Sequence, residues 1–278
     1  MEKIRRNERM SAMMKLLAGA PNRIFTLNSF CDMFGSAKST MSEDVELLRE
    51  VCETFDLGTV ETVTGAAGGV RFRPAVSRTK ARAMIQELCA KLSGTERVLP
   101  GGFLYYSDIL SMPEIVNGMG EIIATEYAQC EPDFVLTMET KGIPVAFATA
   151  NALGIPLVIA RHSSKVYEGS AVNINYVSGS GSIETMSLSR RAVKENQRAL
   201  IVDDFLKGGG TAKGMVELMR EFNVSVAGMA FVMATLKPEK KRVSGEKSLM
   251  TLSVTEGDPA VADVRPADWL MQDLQKKA

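Results

Sequence analysis

The segment from Arg198 to Thr211 contains the residue types that most clearly indicate chemistry. The apolar run Ala199–Val202 leads into Asp203 and Asp204, and three glycines then precede Thr211. Glycines let backbone N–H groups approach an anion, and the N-terminus of a following helix adds positive partial charge. Carboxylates repel phosphate but accept hydrogen bonds from sugar hydroxyls. The pattern predicts a sugar-phosphate site; the alternative is an acidic strand end followed by a flexible turn.

Two scarce residue types exclude other kinds of site. His162 is the single histidine, which excludes a metal centre built from several imidazoles. No two of the four cysteines form a C-x-x-C pair, so neither a zinc ribbon nor a thioredoxin-type site is supported. We therefore predict no metal site and interpret the cysteines as reduced core residues.

The charge balance restricts the class of partner. The 278 residues include 33 Lys+Arg and 33 Asp+Glu, which excludes a broad polybasic surface but not a local basic face. No apolar run follows the basic N-terminus, and no apolar stretch reaches the ~20 residues that a membrane span needs. The sequence predicts a cytoplasmic protein without a membrane partner.

Apolar spacing in the first third of the chain predicts three short helices. The first covers residues 4–17, and the second, Leu27–Phe34, has Thr26 as its predicted cap and Gly35 at its end. The third begins near a cluster of hydroxyl residues and ends before Gly58. Its candidate caps are Ser36, Ser39 and Thr40, the last of which would form a capping box with Glu43.

A β-hairpin is predicted after these helices. Residues 59–64 and 70–73 alternate in polarity on either side of a glycine-rich turn. Three helices followed by a hairpin is the order of a winged helix-turn-helix, which binds DNA or, alternatively, another protein. We place a domain boundary at Pro74, so that residues 1–74 form the winged-helix domain and residues 75–278 the second domain.

Basic and hydroxyl side chains of the first domain are candidate DNA contacts. Because residues 1–74 contain ten basic and ten acidic residues, affinity must come from a few well-placed groups. These lie at the start of the third helix, on one face of the second hairpin strand and near the N-terminus. The candidates are Lys38, Ser39, Thr40, Ser42, Arg71, Arg73, Arg5 and Arg6. The alternative is that they are ordinary solvated residues.

The second domain alternates helices with apolar strands. After a connecting helix over residues 77–92, this order predicts an α/β fold with a mostly parallel central sheet. The predicted strands are Phe134–Met138, Pro156–Ala160, Ala199–Val202 and Val224–Met233. The predicted helices are Pro113–Gln129, Ile143–Leu153 and Thr211–Phe222. Phe103 and Tyr105 are expected in the core or, alternatively, stacked on a nucleobase ligand, and Trp269 is expected to pack over the site.

The segment Val202–Thr211 resembles the phosphoribosyl-diphosphate (PRPP) motif of type I phosphoribosyltransferases. In that family adjacent acids hold the ribose hydroxyls and the loop holds the 5′-phosphate. Residues 140–144, Thr-Lys-Gly-Ile-Pro, resemble its diphosphate loop, and residues 178–187 are placed like its mobile catalytic loop. We add Arg161 and Lys165, beside His162, as further phosphate contacts. The effector-binding candidates are Asp203, Asp204, Phe205, Lys207, Gly208, Gly209, Gly210, Thr211, Thr140, Lys141, Gly142, Arg161 and Lys165.

Together with the winged-helix pattern, these motifs resemble the purine operon repressors of Gram-positive bacteria over essentially the whole chain. The resemblance implies a homodimer that binds operator DNA and releases it when PRPP occupies the transferase-like site. It also implies that guanosine tetraphosphate competes for this site. No cofactor is required, although PRPP often carries Mg²⁺.

Two residues depart from the pattern of active transferases. Gly208 stands where a threonine is expected, and Lys207 where small residues are common. This difference favours effector binding without turnover, so we predict that the protein is not an enzyme. The alternative is an active purine phosphoribosyltransferase with an accessory N-terminal domain.

Overall fold

The computed structural model describes residues 4–65, 68–164, 169–179, 181–255, 257 and 259–272. The chain divides into two compact units, one comprising Met1–Ser77 with Asn151–Gly154 and the other comprising Arg78–Ala150 with Ile155–Ala278. The predicted boundary at Pro74 lies slightly before the first of these divisions.

The first unit consists of three helices and a two-stranded antiparallel hairpin, as predicted. Its elements are α1 (Arg6–Ala18), α2 (Leu27–Phe34), α3 (Lys38–Thr54), β1 (Thr59–Val63) and β2 (Gly69–Arg73). The core side chains Met13, Phe30, Met41, Leu48 and Phe72 come from all three helices and the hairpin. The hairpin therefore belongs to the same core as the helices.

Local signals account for the bounds of α2. The Thr26 Oγ1 accepts a hydrogen bond from the Ser29 N–H at 3.1 Å, and Gly35 ends the helix in the left-handed region at φ 59°. Both features were predicted, because cap residues act on the backbone of the adjacent turn.

The predicted cap of α3 was wrong. Ala37 is the N-cap and provides no side-chain hydrogen bond, whereas Ser39 and Thr40 lie inside the helix. Ser36 instead donates from its hydroxyl to the Phe34 carbonyl at 3.2 Å, and Ser42 donates to the Lys38 carbonyl at 3.1 Å. These hydroxyls are satisfied by nearby carbonyl groups, so α3 begins before the predicted capping box.

The helices that follow Ser77 are short to medium in length. They are α4 (Arg78–Leu92), α5 (Pro113–Tyr127), α6 (Ile143–Leu153), α7 (Gly210–Glu221) and α8 (Asp268–Met271), with 3₁₀ turns at Ile109–Ser111 and Ala128–Cys130. None of the described helices is long and apolar enough to cross a membrane.

The strands that follow Ser77 form a central sheet and two hairpins. They are β3 (Val98–Leu99), β4 (Phe103–Leu104), β5 (Phe134–Met138), β6 (Leu157–Ala160), β7 (Ala171–Val177), β8 (Ile183–Ser189), β9 (Arg198–Leu206), β10 (Ser225–Thr235), β11 (Lys247–Val254) and β12 (Ala262–Pro266). The central sheet has the order β12-β11-β10-β9-β5-β6, and only β12 is antiparallel to its neighbour. The predicted mostly parallel α/β fold is confirmed.

The sheet core and the register of the strands explain where a site can form. Leu136, Ile201 and Phe231 pack with Met215 and Leu218 of α7 in one apolar cluster. Because β5, β6 and β9 are parallel, the residues at their carboxyl ends meet at one edge of the sheet. The sequence analysis did not predict β11 and β12, which extend the sheet on the far side of β10.

Candidate functional site

A pocket of about 370 Å³ opens at the carboxyl edge of β5, β6 and β9. It is lined by Met138, Glu139, Thr140, Lys141, His162, Tyr176, Ser178, Gly179, Glu184, Asp203, Asp204, Phe205 and Thr211. The lining is mostly polar and charged, and it comes from four separate stretches of the chain. This composition suits a hydrophilic ligand with hydroxyl groups better than an apolar one.

The two adjacent acids are held by short, directed hydrogen bonds. Asp203 is buried, and its Oδ1 accepts from the Asp204 backbone N–H at 2.9 Å. The Tyr106 hydroxyl donates to the Asp204 Oδ2 at 2.6 Å. Burial raises the pKa of Asp203 well above its ordinary value, and the negative charge of Asp204 raises it further. Hydrogen-bond donors from a ligand would act against this shift, because they stabilise the ionised carboxylate.

The segment that follows β5 lies against these acids. Thr140 and Lys141 line the pocket, and the Lys141 ammonium is 5.0 Å from the centre of the Tyr106 ring. A Cβ atom on Gly142 would be 2.0 Å from the Asp203 Oδ1. The glycine is thus what allows the predicted diphosphate loop to approach Asp203.

Replacing Gly142 by alanine is expected to displace either Asp203 or the 140–142 loop, because the two cannot occupy their present positions. We expect the affinity for ribose 5-phosphate, measured by titration calorimetry, to fall about tenfold. Gly257→Ala is the matched control, since the nearest atom to its added Cβ would be an ordinary contact at 3.7 Å. Unchanged affinity in Gly142→Ala would contradict a shared site for the loop and the acid.

The glycine loop before α7 lies beside the pocket with Thr211 in its wall. Gly209 is the N-cap of α7 in the left-handed region at φ 78°, and a Cβ on Gly210 would be 2.0 Å from the Val177 carbonyl oxygen. A Cβ on Gly208 would meet no atom within 4 Å. Steric crowding therefore explains why residue 210 is a glycine, but it does not explain why residue 208 is one.

A polar network that the sequence analysis missed closes the other side of the pocket. The Tyr176 hydroxyl donates to the Glu184 Oε2 at 2.9 Å, and the His162 Nδ1 is 3.7 Å from the same oxygen. Burial, more than the neighbouring Glu184, raises the pKa of Tyr176 to about 12. Hydrogen bonds from Ser178 and Tyr176 lower the pKa of Glu184. No local signal predicts this network, because its residues are separated in sequence. The antiparallel β7–β8 hairpin places Tyr176 opposite Glu184, and His162 follows β6.

The structure places the predicted effector contacts in two groups. Those that line the pocket are Thr140, Lys141, Asp203, Asp204, Phe205 and Thr211. Those that are not among the lining residues are Gly142, Arg161, Lys207, Gly208, Gly209 and Gly210. Arg161 is 3.7 Å from the Glu139 carboxylate, and Lys165 lies outside the described residues.

Three aromatic predictions were wrong. Phe103 and Tyr105 are 65% and 45% exposed, whereas the next residue, Tyr106, is buried and stacks on Phe205, which lines the pocket. Trp269 does not line the pocket; the centre of its ring is 4.8 Å from the Arg78 guanidinium and 5.2 Å from the Lys247 ammonium, and its indole N–H donates to the Ser248 carbonyl. The Trp269 ring thus packs against two cations that are distant from it in the sequence.

In the first unit, four of the eight predicted DNA contacts, all arginines, pair with carboxylates. Arg71 and Arg73 share one face of β2, as expected, and both bind Glu61, at 2.8 Å and 3.3 Å. Arg5 pairs with Glu8 at 2.6 Å, and Arg6 pairs with Asp44 at 2.9 Å. The four residues of α3 remain, with Lys38, Ser39 and Ser42 exposed and Thr40 half-buried. Within the described chain Lys38 has no carboxylate partner, so it provides the available charge at the start of α3.

Two protein families match this chain. Residues 5–74 match the family described as bacterial purine repressor, N-terminal, and residues 105–266 match the phosphoribosyl transferase domain. The first match covers the three helices and the hairpin. The second covers the pocket described above.

Curated relatives match over nearly the full length. The chain is 42% identical to a probable purine biosynthesis transcriptional regulator of Streptococcus pneumoniae, over 98% of this chain and 99% of the relative. It is 42% identical to a purine biosynthesis transcriptional repressor of Bacillus subtilis, over 96% and 94%. It is 43% identical to a purine biosynthesis transcriptional activator of Lactococcus lactis, over 85% and 88%.

Solved structures match the second unit in fold. An adenine phosphoribosyltransferase from Thermoanaerobacter pseudethanolicus superposes with a TM-score of 0.53 at 22% identity, covering 60% of this chain and 99% of the enzyme. At this identity the match establishes the fold.

Proposed function

The chain belongs to the bacterial purine repressor family, and from this premise we propose that it represses purine biosynthesis genes by binding their operator DNA, and that PRPP relieves this binding. One observation carries the proposal: a single chain joins a purine-repressor helix–hairpin unit to a transferase-like pocket with an acidic pair and a glycine loop. Near-full-length identity to transcriptional regulators supports the regulatory role.

The pocket chemistry supports PRPP as the effector. The Asp203 and Asp204 carboxylates suit the two ribose hydroxyls, and the N–H groups of the loop before α7 suit the 5′-phosphate. Thr140 and Lys141 also line the pocket, and the Lys141 ammonium suits the negative charge of the diphosphate. Guanosine tetraphosphate, another polyphosphate, is proposed to compete for the same groups.

The charge distribution of the first unit supports DNA binding by a few placed groups. Since internal ion pairs offset most arginines, the exposed start of α3, with Lys38, Ser39 and Ser42, is the proposed contact surface. A homodimer, which we also propose, would present this surface twice and compensate for its small size. PRPP must then bind the DNA-free conformation more tightly than the DNA-bound one, because only differential affinity shifts the equilibrium.

Fluorescence anisotropy on promoter fragments tests the proposal directly. We expect the protein, dimeric by light scattering, to bind fragments from purine biosynthesis promoters and to dissociate on addition of PRPP, with and without Mg²⁺. Lys38→Ala should weaken operator binding about tenfold, whereas Lys15→Ala, an exposed lysine on α1, should leave it unchanged. Binding that is insensitive to PRPP, or equal affinity for unrelated promoters, would contradict the proposal.

One relative is named a transcriptional activator, so repression or activation of a promoter must be measured separately from DNA binding. A promoter–reporter fusion in the presence and absence of the gene should show higher expression when the protein is absent. Lower expression would make the protein an activator at that promoter, with the same operator and effector chemistry.

The second candidate function is that of an active purine phosphoribosyltransferase. The match of residues 105–266 to the transferase domain favours it, and the space at Gly208 leaves room for the Cβ of a transferase-like threonine. Incubation with PRPP, Mg²⁺ and each purine base, followed by chromatography, should yield no nucleotide above background. Turnover at an ordinary enzymatic rate, about 1 s⁻¹ or faster, would establish the enzyme instead.

A further inference from the structure

The three carbonyl oxygens that precede α7 all have hydrogen-bond donors. The Lys241 Nζ donates to the Lys207 carbonyl at 2.6 Å, and the Arg242 backbone N–H donates to the Gly208 carbonyl at 3.0 Å. The Lys213 N–H donates to the Gly209 carbonyl at 2.9 Å as the first hydrogen bond of α7. These hydrogen bonds to the carbonyl oxygens therefore hold the orientation of the three peptide groups that follow Lys207, Gly208 and Gly209.

These contacts also determine where the loop N–H groups point. In a planar trans peptide, the C=O of one residue and the N–H of the next point in opposite directions. The N–H groups of Gly208, Gly209 and Gly210 thus point away from the donors on the carbonyl side. Within the part of the chain that the structure describes, these three N–H groups have no acceptor. They form a ready set of donors for an anion.

Lys241 is fully occupied in this arrangement. Besides the Lys207 carbonyl, its ammonium donates to the Thr235 carbonyl at 2.7 Å and to the Thr235 Oγ1 at 3.2 Å. An ammonium has three N–H donors, so none remains for a ligand. Partial burial lowers the pKa of Lys241, and the nearby Glu246 carboxylate opposes this shift. Lys241 therefore acts on a ligand through the loop and not by contact.

We propose that Lys241 is a positioning residue that presets the 207–211 loop for the phosphate monoester of the effector. Its ammonium joins the Lys207 carbonyl to the end of β10, which keeps the loop N–H groups directed outward, and its positive charge lies behind them. The identity of the ligand rests on the function proposed above. The role of Lys241 in holding the loop does not.

Two separate ligands test this role on the full-length protein. We expect Lys241→Met to weaken ribose 5-phosphate binding about tenfold in titration calorimetry, because the Lys207 carbonyl then keeps only the longer hydrogen bond from the Thr235 hydroxyl, at 3.4 Å. Inorganic diphosphate, whose proposed contacts are Thr140 and Lys141, should change less than about twofold. Lys240→Met is the matched control: Lys240 is exposed and adjacent in sequence, and its replacement should affect neither ligand.

A measurement without ligand isolates the loop itself. In wild type the Arg242 amide is protected by the Gly208 carbonyl, so its hydrogen exchange by NMR should accelerate about tenfold or more in Lys241→Met and stay unchanged in Lys240→Met. Unchanged exchange would overturn the role of Lys241. So would equal losses for both ligands, which would indicate general destabilisation.

The two proposals fail in different ways. If wild type binds neither ribose 5-phosphate nor PRPP while Lys241→Met still accelerates exchange, the effector is wrong and the positioning role stands. If wild type binds both and Lys241→Met binds ribose 5-phosphate within about twofold of wild type, the effector stands and the positioning role is wrong.

Discussion

Replacing Asp203 by asparagine is expected to leave operator binding intact and to raise the PRPP concentration needed for release about tenfold or more. The carboxylate is the proposed acceptor for a ribose hydroxyl, and it lies in the pocket, outside the helix–hairpin unit proposed to bind DNA. Asparagine has nearly the same shape, and its Oδ1 can still accept from the Asp204 N–H. The variant therefore removes charge without creating a cavity.

The raised pKa of Asp203 adds a pH dependence to this result. Hydroxyl donors favour the ionised carboxylate, so PRPP binding should release a proton, and affinity should rise as the pH increases toward the raised pKa. Asp203→Asn should lose the pH dependence of affinity that comes from the carboxylate. The pH dependence that comes from ionisation of the ligand phosphates should remain in both proteins. Calorimetry in buffers of different ionisation enthalpy measures the proton release.

The ligand-free stability provides an internal check. An acid whose pKa is higher in the folded state than in the unfolded state costs stability as the pH rises above the unfolded value of about 3.9. Asp203→Asn should therefore unfold at a higher temperature than wild type at pH 7, whereas Asp263→Asn, a half-buried acid of β12 that pairs with Arg265 at 2.7 Å, should not. An Asp203→Asn protein that responds to wild-type concentrations of PRPP would remove the proposed role of the carboxylate.

Replacing Asp44 by alanine is expected to destabilise the first unit by about 3–5 kcal/mol and to abolish operator binding. The Asp44 side chain is fully buried and joins α3 to α1 through the Arg6 and Arg9 guanidinium groups, at 2.9 Å each. Arg9 is itself only 9% exposed. Without Asp44, its positive charge would be left buried and uncompensated, which is the source of the large effect.

Limited proteolysis and calorimetry together locate this effect. We expect rapid cleavage within the first 77 residues of Asp44→Ala, while ribose 5-phosphate binding in the second unit is retained. Glu43→Ala is the control, because Glu43 is exposed and lies 3.9 Å from Arg6, so its loss should cost under about 1 kcal/mol. The double variant Asp44→Leu with Arg9→Met should recover part of the stability. Wild-type operator affinity in Asp44→Ala would show that the buried pair does not support the unit.

The sequence predicted best what depends on neighbouring residues. Thr26 and Gly35 mark the two ends of α2, and the apolar run Phe134–Met138 forms β5. The order of three helices and a hairpin identifies the first unit. These features were predictable because caps, turns and periodicity act within about one turn of the chain. Asp203, Asp204 and Thr211 were predicted as site residues for the same reason: strand end, glycine turn and helix start are contiguous.

The tertiary structure alone decided which groups meet across the fold. The Tyr106 hydroxyl reaches Asp204 across 98 residues of sequence, and Arg9 reaches Asp44 across 35. Likewise, the Gly142 backbone approaches Asp203 only because β5 and β9 are adjacent parallel strands.

The sequence by itself thus determined the two units, the acidic pair and the loop that follows it. The tertiary structure decided which arginines pair with carboxylates, which aromatic side chains line the pocket and which lysine donates to the Lys207 carbonyl. The physical reason is that burial and charge pairing depend on three-dimensional neighbours, and a single sequence carries no local signal for them.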